Sequence, residues 1–234
     1  MRQMYFRKID YSLLTILKKF KIAPICNDLK KLSQDIEDIL AFQKKLPNLE
    51  IKNLCYPQTK QELIDVFVLR SRVYKREGYD REFPQFIDGL DYDEYDKTSA
   101  ILCVKFNNKI TGSCRVVFDS PLKLPIEKNY SFDYLRAQKG ELCELSRLVV
   151  ERESLGQEPR LLTKGTYLLL RKKGISTLVS ITDKKAYNRY YKNFGGFRVE
   201  HEYSGYGKLE KTFIVSSWEI AEVSPFFKRA FLKN

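Results

Sequence analysis

The stretch E-L-C-E-L-S-R-L-V-V, residues 141–150, decides the fold that we predict for this chain. Its alternating apolar residues and β-branched end are typical of a buried strand. The same stretch carries Glu144 and Arg147, which would point to opposite faces of an ideal strand. A β-bulge between them would bring both side chains to one face. We therefore predict a bulged central strand, which forms either the floor of an active site or a structural ion pair at a strand end.

The pattern on either side of this strand predicts an α/β chain with one mixed sheet. Further strands are predicted at residues 49–56, 99–106, 109–118, 176–182, 197–203 and 211–217. Helices are predicted at residues 59–77, 132–136, 158–173, 183–194 and 225–234. Because helices separate several of the strands, we expect helices on both faces of the sheet. Two loops, at residues 78–98 and 121–140, interrupt this order.

The first 46 residues have the period of two amphipathic helices. One helix ends near Pro24, and the next begins after Asn27, a capping candidate. We expect a helical extension at residues 1–46, followed by one domain at residues 47–234. The lysines of this extension fit either a surface that packs on the domain or a basic surface for a peripheral membrane contact or a partner. They are Lys18, Lys19, Lys21, Lys30 and Lys31.

Composition narrows the classes of function. The 234 residues are 43% hydrophobic and carry a net charge of +12 at pH 7, so the chain can bury a sizeable core and attract an anionic partner. Nucleic acid, a membrane surface, a phosphate-bearing cofactor and an acidic protein all fit that charge. No apolar run approaches the roughly 20 residues needed to cross a bilayer. Because no signal-like start is evident, we expect a cytoplasmic protein.

Cysteine and histidine contents bear on redox and metal chemistry. The five cysteines are widely spaced and form no C-x-x-C pair, so we expect reduced, buried thiols. The single histidine, His201, lies between Glu200 and Glu202 and is expected at the surface. One histidine cannot supply a Cys/His zinc cluster of familiar spacing, and we predict no metal site.

An acidic cluster stands out in this basic chain. The loop at residues 78–98 holds five acidic residues within nine positions: Asp88, Asp91, Asp93, Glu94 and Asp96. A calcium loop that began at Asp91 would need a glycine at its sixth position, which the chain lacks. The cluster is therefore either a solvated loop or a site whose carboxylates attract and orient a cationic substrate.

Four motifs occur in order between residues 65 and 150. They are Arg70-x-x-x-Tyr74, Asp91-x-Asp93-x-Tyr95-Asp96, Gly112-x-x-Arg115 and Glu144-x-Ser146-Arg147. In order and spacing they resemble the acyl-homoserine-lactone (autoinducer) synthases and the related N-acyl amino acid synthases. A later segment, Y-Y-K-N-F-G-G-F at residues 190–197, looks like the last helix of the general N-acetyltransferase (GNAT) fold of both groups. The resemblance implies that fold, a mixed sheet with a splayed, bulged central strand.

The resemblance implies an N-acyltransferase that moves a fatty acyl group from a thioester to an amine. By position, the catalytic residues would be Glu144, Tyr191 and Arg147, and the substrate-binding residues Arg70, Asp93, Asp96, Arg115 and Ser146. Glu144 would accept the amine proton directly or through water, and N–H groups at the bulge would bind the oxyanion. Tyr191 matches the tyrosine that protonates the departing thiolate in the wider fold. The arginines equally fit a second role, in which they bind the carboxylates of the acidic loop and hold it in place.

Two positions near the acceptor side depart from the autoinducer synthases. Those enzymes have a tryptophan shortly after the aromatic residue of the first motif, where this chain has Tyr79 and Asp80. Their first acidic position is usually glutamate, whereas this chain has Asp91. The resemblance is therefore compatible with two acceptors, a free amino acid and S-adenosylmethionine, and leaves open whether the product forms a lactone.

The acyl donor is inferred from a missing motif. Acetyltransferases that use coenzyme A bind its pyrophosphate on a glycine-rich R-x-x-G-x-G/A turn at a helix N-terminus. Residues 151–173 contain no such turn. This favours the thioester of an acidic acyl carrier protein over acyl-CoA as donor, with no tightly bound cofactor. The candidate docking residues for this carrier are Arg160, Lys172, Lys173, Lys184 and Lys185.

Two interpretations outside this enzyme class stay open. A basic chain with 15 Tyr and 15 Phe fits a nucleic-acid- or lipid-binding protein. No helix-turn-helix, zinc-finger or RNA-recognition pattern supports nucleic acid, and the acidic loop argues against it. The other interpretation is an inactive relative that only senses an acyl carrier protein or a lipid. We expect the enzyme, with no nucleic acid partner.

Overall fold

One mixed sheet organises the part of the chain that the structure describes. The structure, a computed structural model, describes residues 11–23, 26–79, 87–152, 156–206 and 209–233. The strands in these residues are β1 (Leu54–Cys55), β2 (Ser99–Phe106), β3 (Lys109–Phe118), β4 (Leu142–Val150), β5 (Thr177–Asp183), β6 (Phe197–Tyr206) and β7 (Leu209–Glu219). They lie in the order β1-β2-β3-β4-β5-β7-β6. Neighbouring strands are antiparallel, except that β4 and β5 are parallel.

Helices cover both faces of this sheet, as predicted. They are α1 (Tyr11–Lys19), α2 (Cys26–Gln43), α3 (Lys60–Glu77), α4 (Asp133–Lys139), α5 (Glu158–Lys173), α6 (Lys184–Arg189) and α7 (Pro225–Phe227). α5 packs on one face over β2 and β3, where Leu102, Val116 and Leu162 belong to one buried core. α2 and α3 pack on the other face, where Ile36 and Phe67 are fully buried.

The β2–β3 hairpin has the bounds that the sequence predicts. Its two turn residues, Asn107 and Asn108, have φ of 48° and 61°. Asparagine tolerates this left-handed backbone, which a two-residue hairpin turn requires. The pairing of the two strands skips Thr111, beside Gly112, the residue at which the sequence indicates a bulge.

β4 contains the predicted bulge. Its pairing with β3 joins Ser146 to Arg115 and, further on, Val149 to Ser113, so β4 has one residue more than β3 in this interval. Arg147 lies in the interval with φ of 53°. Positive φ is uncommon outside glycine, and a bulge is one of the places where it occurs. The bulge therefore brings this arginine to the face from which a regular strand would turn it away.

β4 and β5 separate towards their C-terminal ends. Their parallel pairing joins residues 142–145 of β4 to residues 177–180 of β5. Beyond these pairs both strands continue, to Val150 and Asp183, and they diverge. The bulge contributes to this separation because it bends β4 and increases its local twist. A cleft opens in the middle of the sheet as a result.

Three predicted elements differ from those observed. β1 is much shorter than residues 49–56, because Glu50 and Asn53 have φ of 51° and 65° and interrupt the extended backbone. The predicted helix at residues 183–194 is α6 followed, after Tyr190, by a 3-10 helix at Tyr191–Phe194. The predicted terminal helix is α7 followed by a π-helical turn at Lys228–Leu232.

The acidic loop is more regular than its sequence suggests. Glu94–Thr98 forms a 3-10 helix whose first turn is capped by Asp93. The carboxylate of Asp93 accepts a hydrogen bond from the N–H of Tyr95, and that of Asp96 accepts one from the N–H of Asp93, both at 2.9 Å. Residues 80–86 of the same loop lie outside the described residues. Two of the clustered carboxylates therefore stabilise local backbone.

The N-terminal helices share a core with α3. Leu13 and Leu17 of α1, Ile36 of α2 and Leu63 of α3 are fully buried together. This packing agrees with an extension that lies against the domain, while the boundary at residue 46 stays a prediction. None of the described helices is long and apolar enough to cross a membrane.

The described cysteines are free thiols. Cys103, Cys114 and Cys143 are buried, as expected, and Cys55 is partly buried. Burial raises the pKa of the Cys143 thiol well above its usual range, so it stays protonated and unreactive. The side chain of Cys26 lies outside the described residues, as does that of Asn27, the predicted helix cap.

Candidate active site

A cleft of about 1000 Å³ opens where β4 and β5 separate. Glu144, Ser146 and Arg147 of β4 line it, together with residues 180–183 of β5. Parts of β6 and β7, of the loop at residues 125–130 and of the end of α3 form the remaining walls. Because pairing with β5 has ended, the backbone of β4 beyond residue 145 faces the cleft on this side. Its N–H groups there can donate hydrogen bonds to a ligand.

Glu144 is a buried carboxylate in this cleft. Glu144 is 3% exposed, and its Oε2 accepts a hydrogen bond from the backbone N–H of Ile126 at 2.7 Å. Burial raises the pKa of Glu144 to about 7, although the hydrogen bond from Ile126 and the charges of Arg115 and Arg147 act in the opposite direction. A carboxyl that titrates near neutral pH is suited to exchange a proton with a substrate.

Arg70 and Arg115 hold the acidic loop against the sheet. Arg70 Nη1 donates to Asp96 Oδ1 at 2.8 Å, and both side chains are fully buried. Arg115 Nη1 donates to Asp93 Oδ1 at 2.6 Å and to Asp96 Oδ2 at 3.1 Å. Arg115 Nε also donates to the hydroxyl of Ser146 at 3.1 Å. The loop is thus tied to the strand that carries Glu144.

Arg147 completes the network on the cleft side. Its Nη2 lies 3.2 Å from Asp93 Oδ2, its Nε lies 3.3 Å from Asp91 Oδ1, and its guanidinium lies 5.4 Å from the ring centre of Tyr74. Arg147 therefore pairs with aspartates of the acidic loop. Among the described residues it forms no ion pair with Glu144, the structural alternative that the sequence left open. The sequence allows two roles for the arginines, and in one of them they bind the carboxylates of the acidic loop and hold it in place. Arg70, Arg115 and Arg147 make the contacts that this role requires.

The pKa values of two carboxylates of this network shift in opposite directions. Burial would raise the pKa of Asp93, but the charges of Arg115 and Arg147 outweigh it and hold that pKa below its usual range. Burial dominates at Asp91 and raises its pKa, in spite of Arg147. Asp93 is the more exposed, with 31% of its side chain accessible, and it lines the cleft as an anion. Among the described residues, no group of three or more His, Cys, Asp or Glu is arranged to hold a metal ion.

Tyr191 enters the cleft from the β5 side. It is the first residue of the 3-10 helix after α6, and its ring packs edge to face on Phe194, with centroids 5.6 Å apart. Burial raises the pKa of its phenol to about 12. The hydroxyl therefore stays protonated at neutral pH and can donate a hydrogen bond.

The candidate docking residues are exposed, but the structure does not bring all of them together. Three lie in first turns of helices that follow the open ends of β4 and β5: Arg160, Lys184 and Lys185. Lys172 and Lys173 end α5, about 20 Å further along the helix at 1.5 Å per residue. Lys173 lies 4.8 Å from the ring centre of Phe118, beside the closed end of β4. Of the five candidates, Arg160, Lys184 and Lys185 therefore lie towards the end of the sheet at which the cleft opens.

An aromatic wall of the cleft was not identified from the sequence. Tyr130 stacks on His201 with centroids 5.5 Å apart, and Tyr203 follows at 6.0 Å. The hydroxyl of Tyr130 donates to the carbonyl of Glu200 at 3.2 Å, which joins the second loop to β6. His201 is exposed, as expected, yet it lines the cleft. The alternation of His201 and Tyr203 with two glutamates is the signal that would have placed them on one face.

The bulged β4, its separation from β5 and the buried carboxyl beside the gap define a GNAT-like acyltransferase fold. Within this class, the chain belongs to the FeeM family of N-acyl amino acid synthases, whose family model matches residues 65–216. It is thus an N-acyltransferase by family. A comparison with curated proteins finds no match.

Solved structures with similar folds agree with this assignment. FeeM, an N-acyl amino acid synthase from uncultured soil microbes, is 12% identical with a TM-score of 0.60, over 75% of this chain and 96% of that one. The acyl-homoserine-lactone synthase LasI is 18% identical with a TM-score of 0.58, over 74% and 88% of the two chains. BjaI, a CoA-dependent acyl-homoserine-lactone synthase solved with S-adenosylmethionine and isopentyl-CoA, is 18% identical with a TM-score of 0.54, over 68% and 75%. At these identities the likeness concerns the fold alone.

Proposed function

We propose that this chain transfers a fatty acyl group from the thioester of an acyl carrier protein to the amine of an amino acid. One observation carries the proposal: Glu144, a buried carboxyl with a pKa of about 7, lines the cleft beside a bulged strand in a member of an N-acyl amino acid synthase family. An amine attacks a thioester only after it loses a proton, because an ammonium group has no free electron pair.

The reaction uses three features of the cleft. Glu144 accepts the proton of the amine, directly or through water, as nitrogen attacks the thioester carbon. Backbone N–H groups of β4 beyond residue 145 bind the oxygen that becomes negative. The C–N bond forms, the C–S bond breaks, and Tyr191 donates a hydrogen bond to the departing sulfur. Nitrogen loses two protons in all: the ammonium form releases one to water before attack, and the second, which Glu144 accepts during attack, passes to the departing sulfur. The products are therefore an amide and a thiol, and the carboxylate of Glu144 is restored.

The arginines act mainly through the acidic loop. Arg70, Arg115 and Arg147 bind the loop carboxylates at 2.6–3.3 Å, and two of them lie 2% exposed or less. Charge-assisted pairs of this kind fix position more than they add free energy. We propose that they keep Asp93 and Ser146 in place at the wall of the cleft, where the substrate binds.

The charge at the cleft opening supports a carrier protein as donor. Arg160, Lys184 and Lys185 lie towards the end of the sheet at which the cleft opens, and acyl carrier proteins are acidic, so opposite charges would guide docking. The segment between β4 and α5 also lacks the glycine-rich turn that binds a pyrophosphate. Lys172 and Lys173 are left out of this docking surface because they lie at the closed end.

The test compares donors and acceptors directly. Purified protein is incubated with a mixture of the standard L-amino acids and either fatty acyl carrier protein or the same acyl chains on coenzyme A, and products are identified by mass spectrometry. We expect N-acyl amino acids, formed faster from the carrier protein, and loss of product with Glu144→Ala. Folded wild-type protein that forms no N-acyl product from either donor would contradict the proposal.

A second candidate is the synthesis of an acyl-homoserine lactone from S-adenosylmethionine. The fold shared with LasI and BjaI and the arginine–aspartate network favour it. The same assay with S-adenosylmethionine as sole acceptor distinguishes the two, because lactone formation releases methylthioadenosine, whereas acylation of an amino acid does not.

A further inference from the structure

An amino acid that binds in this cleft brings a negative carboxylate as well as an amine. Among the residues that the structure describes, three lysine or arginine side chains line the cleft: Arg115, Lys128 and Arg147. Arg115 and Arg147 are already paired with aspartates at 2.6–3.3 Å. Within the described residues, Lys128 takes part in no salt bridge, so its charge is available to a ligand.

Lys128 lies over an aromatic ring of the acidic loop. Its ammonium is 5.1 Å from the ring centre of Tyr95, which also lines the cleft. The N–H of Tyr95 donates to Asp93 Oδ1 at 2.9 Å. Lys128, Tyr95 and the partly exposed Asp93 all line the cleft and are connected through Tyr95, and we refer to these three residues as one corner of the cleft.

The same corner is joined to Glu144. Lys128 ends a 3-10 helix at Pro125–Lys128, and Ile126 of that helix donates its N–H to Glu144 Oε2 at 2.7 Å. The short helix thus fixes the backbone of Lys128 relative to the proton acceptor. Because Glu144 and Asp93 line the same cleft, we expect a ligand whose carboxylate binds Lys128 to direct its amine towards these two carboxyls.

We propose that Lys128 binds the carboxylate of the amino acid acceptor and, with Asp93 on the amine side, forms a site for a zwitterion. The inference rests on the proposed function, since it assigns a subsite of the same cleft. It makes Lys128 a residue that distinguishes amino acids from simple amines. A lysine binds a carboxylate as a point charge, so an arginine at this position retains part of the effect.

The test compares an amino acid with the amine that remains when its carboxylate is removed. The acceptor is the amino acid that wild type acylates best in the mixture of standard L-amino acids, and the matched amine is its decarboxylated form. We expect Lys128→Met to raise KM for the amino acid about 10- to 100-fold, the size of a lost hydrogen bond to a charged group. KM for the amine and kcat stay within about twofold, since the amine lacks the group that Lys128 binds.

Two further variants make the result specific. Lys128→Arg is expected to retain most of the affinity for the amino acid. Lys123→Met is the matched control: Lys123 is exposed in the same loop, pairs with Asp133 at 3.0 Å and does not line the cleft. We expect no change of KM in this control.

Other outcomes overturn the inference and remain distinguishable from failure of the proposed function. An equal rise of KM for amino acid and amine would mean that Lys128 supports the fold of the corner. A rise of KM for the acyl donor alone would assign Lys128 to the carrier, and unchanged constants would remove it from the site. If wild type acylates no amino acid, the proposed function fails first, and the inference fails with it.

Discussion

At the scale of single residues, Glu144 combines burial with a place beside an open cleft. The pKa of this carboxyl is raised to about 7 because burial removes water from it, and a single backbone hydrogen bond from Ile126 only partly offsets that loss. Asp93, a short distance along the cleft, has its pKa lowered because two arginines face it. Neighbouring carboxyls with such different environments are typical of a site where one transfers protons and the other stays charged.

Glu144→Gln tests the proton transfer. Because the amide cannot accept a proton, we expect turnover to fall about 100-fold or more, while KM for the acyl donor changes little. In wild type the rate should rise with pH through about 7 as the carboxyl ionises, and this limb should be absent from the variant. Glu141→Gln is the control, since Glu141 is exposed just before the same strand. A pH limb near 7 that persists in Glu144→Gln would contradict the assignment.

The same raised pKa has a consequence for stability. Between pH 4.5 and about 7 the unfolded chain releases the proton of Glu144 while the folded chain keeps it, so wild type loses stability as pH rises through this window. Glutamine does not titrate. The free energy of unfolding of Glu144→Gln, relative to wild type, should therefore increase by up to about 1.4 kcal/mol per pH unit from pH 5 to 7 and level off above it. Urea titrations at several pH values measure this difference, and a difference that is constant with pH would refute it.

At the scale of elements, the acidic loop is a wall of the cleft that is built from charge pairs. Asp93 and Asp96 cap the 3-10 helix of the loop and also bind arginines of α3 and β3. A buried pair is costly to desolvate, and its loss is more damaging than its presence is stabilising, because one charge is then left unpaired. The loop therefore depends on partners that are distant in sequence.

Arg70→Met tests this dependence. The change leaves Asp96 fully buried with fewer partners, and we expect the free energy of unfolding to fall by about 3 kcal/mol or more. Lys60→Met is the matched control, because Lys60 pairs with Glu37 at 3.3 Å where the two side chains are 30% and 56% exposed. Its loss should be within about 1 kcal/mol. Equal losses in urea unfolding of the two variants would show that the buried pair carries no special weight.

At the scale of the whole molecule, the direction of the β4–α5–β5 connection decides which basic residues lie at the open end of the cleft and which lie at its closed end. α5 runs antiparallel to the two strands, so its first turn lies at the open end of the cleft and its last turn at the closed end. The net charge of +12 attracts anions to the whole surface, and under the proposed function the lysines at the open end guide the carrier to the site.

The double change Lys184→Glu/Lys185→Glu tests this arrangement. At low salt we expect KM for acyl carrier protein to rise about tenfold with kcat unchanged, because charge reversal opposes docking of an acidic partner. High salt should shrink the difference, since these side chains are exposed. The control is Lys172→Glu/Lys173→Glu, which changes the net charge equally in the last turn of α5, at the closed end of the cleft. Equal effects of the two double changes would mean that charge acts without a defined docking surface.

Much of the local structure follows from the sequence. Alternation and the Asn107-Asn108 turn predict the β2–β3 hairpin, helical periodicity predicts α3 and α5, and the conflict between Glu144 and Arg147 on one strand predicts the bulge. These signals are local, because they depend on backbone preference and on the side chains of neighbouring residues. The ordered motifs likewise identify the residues that meet at the cleft.

Other features are decided only by tertiary structure. The wall of Tyr130, His201 and Tyr203 joins a loop to a strand some seventy residues later, and no local pattern encodes that contact. The end of the cleft near which Lys172 and Lys184 lie depends on the directions of α5, the crossover helix, and of β5, which α6 follows. The sequence by itself determined most of the elements and the bulge, and its motifs predict the site residues. Their arrangement around a cleft, and the burial that moves the pKa of Glu144, come from packing between distant segments, which desolvates some charges and pairs others.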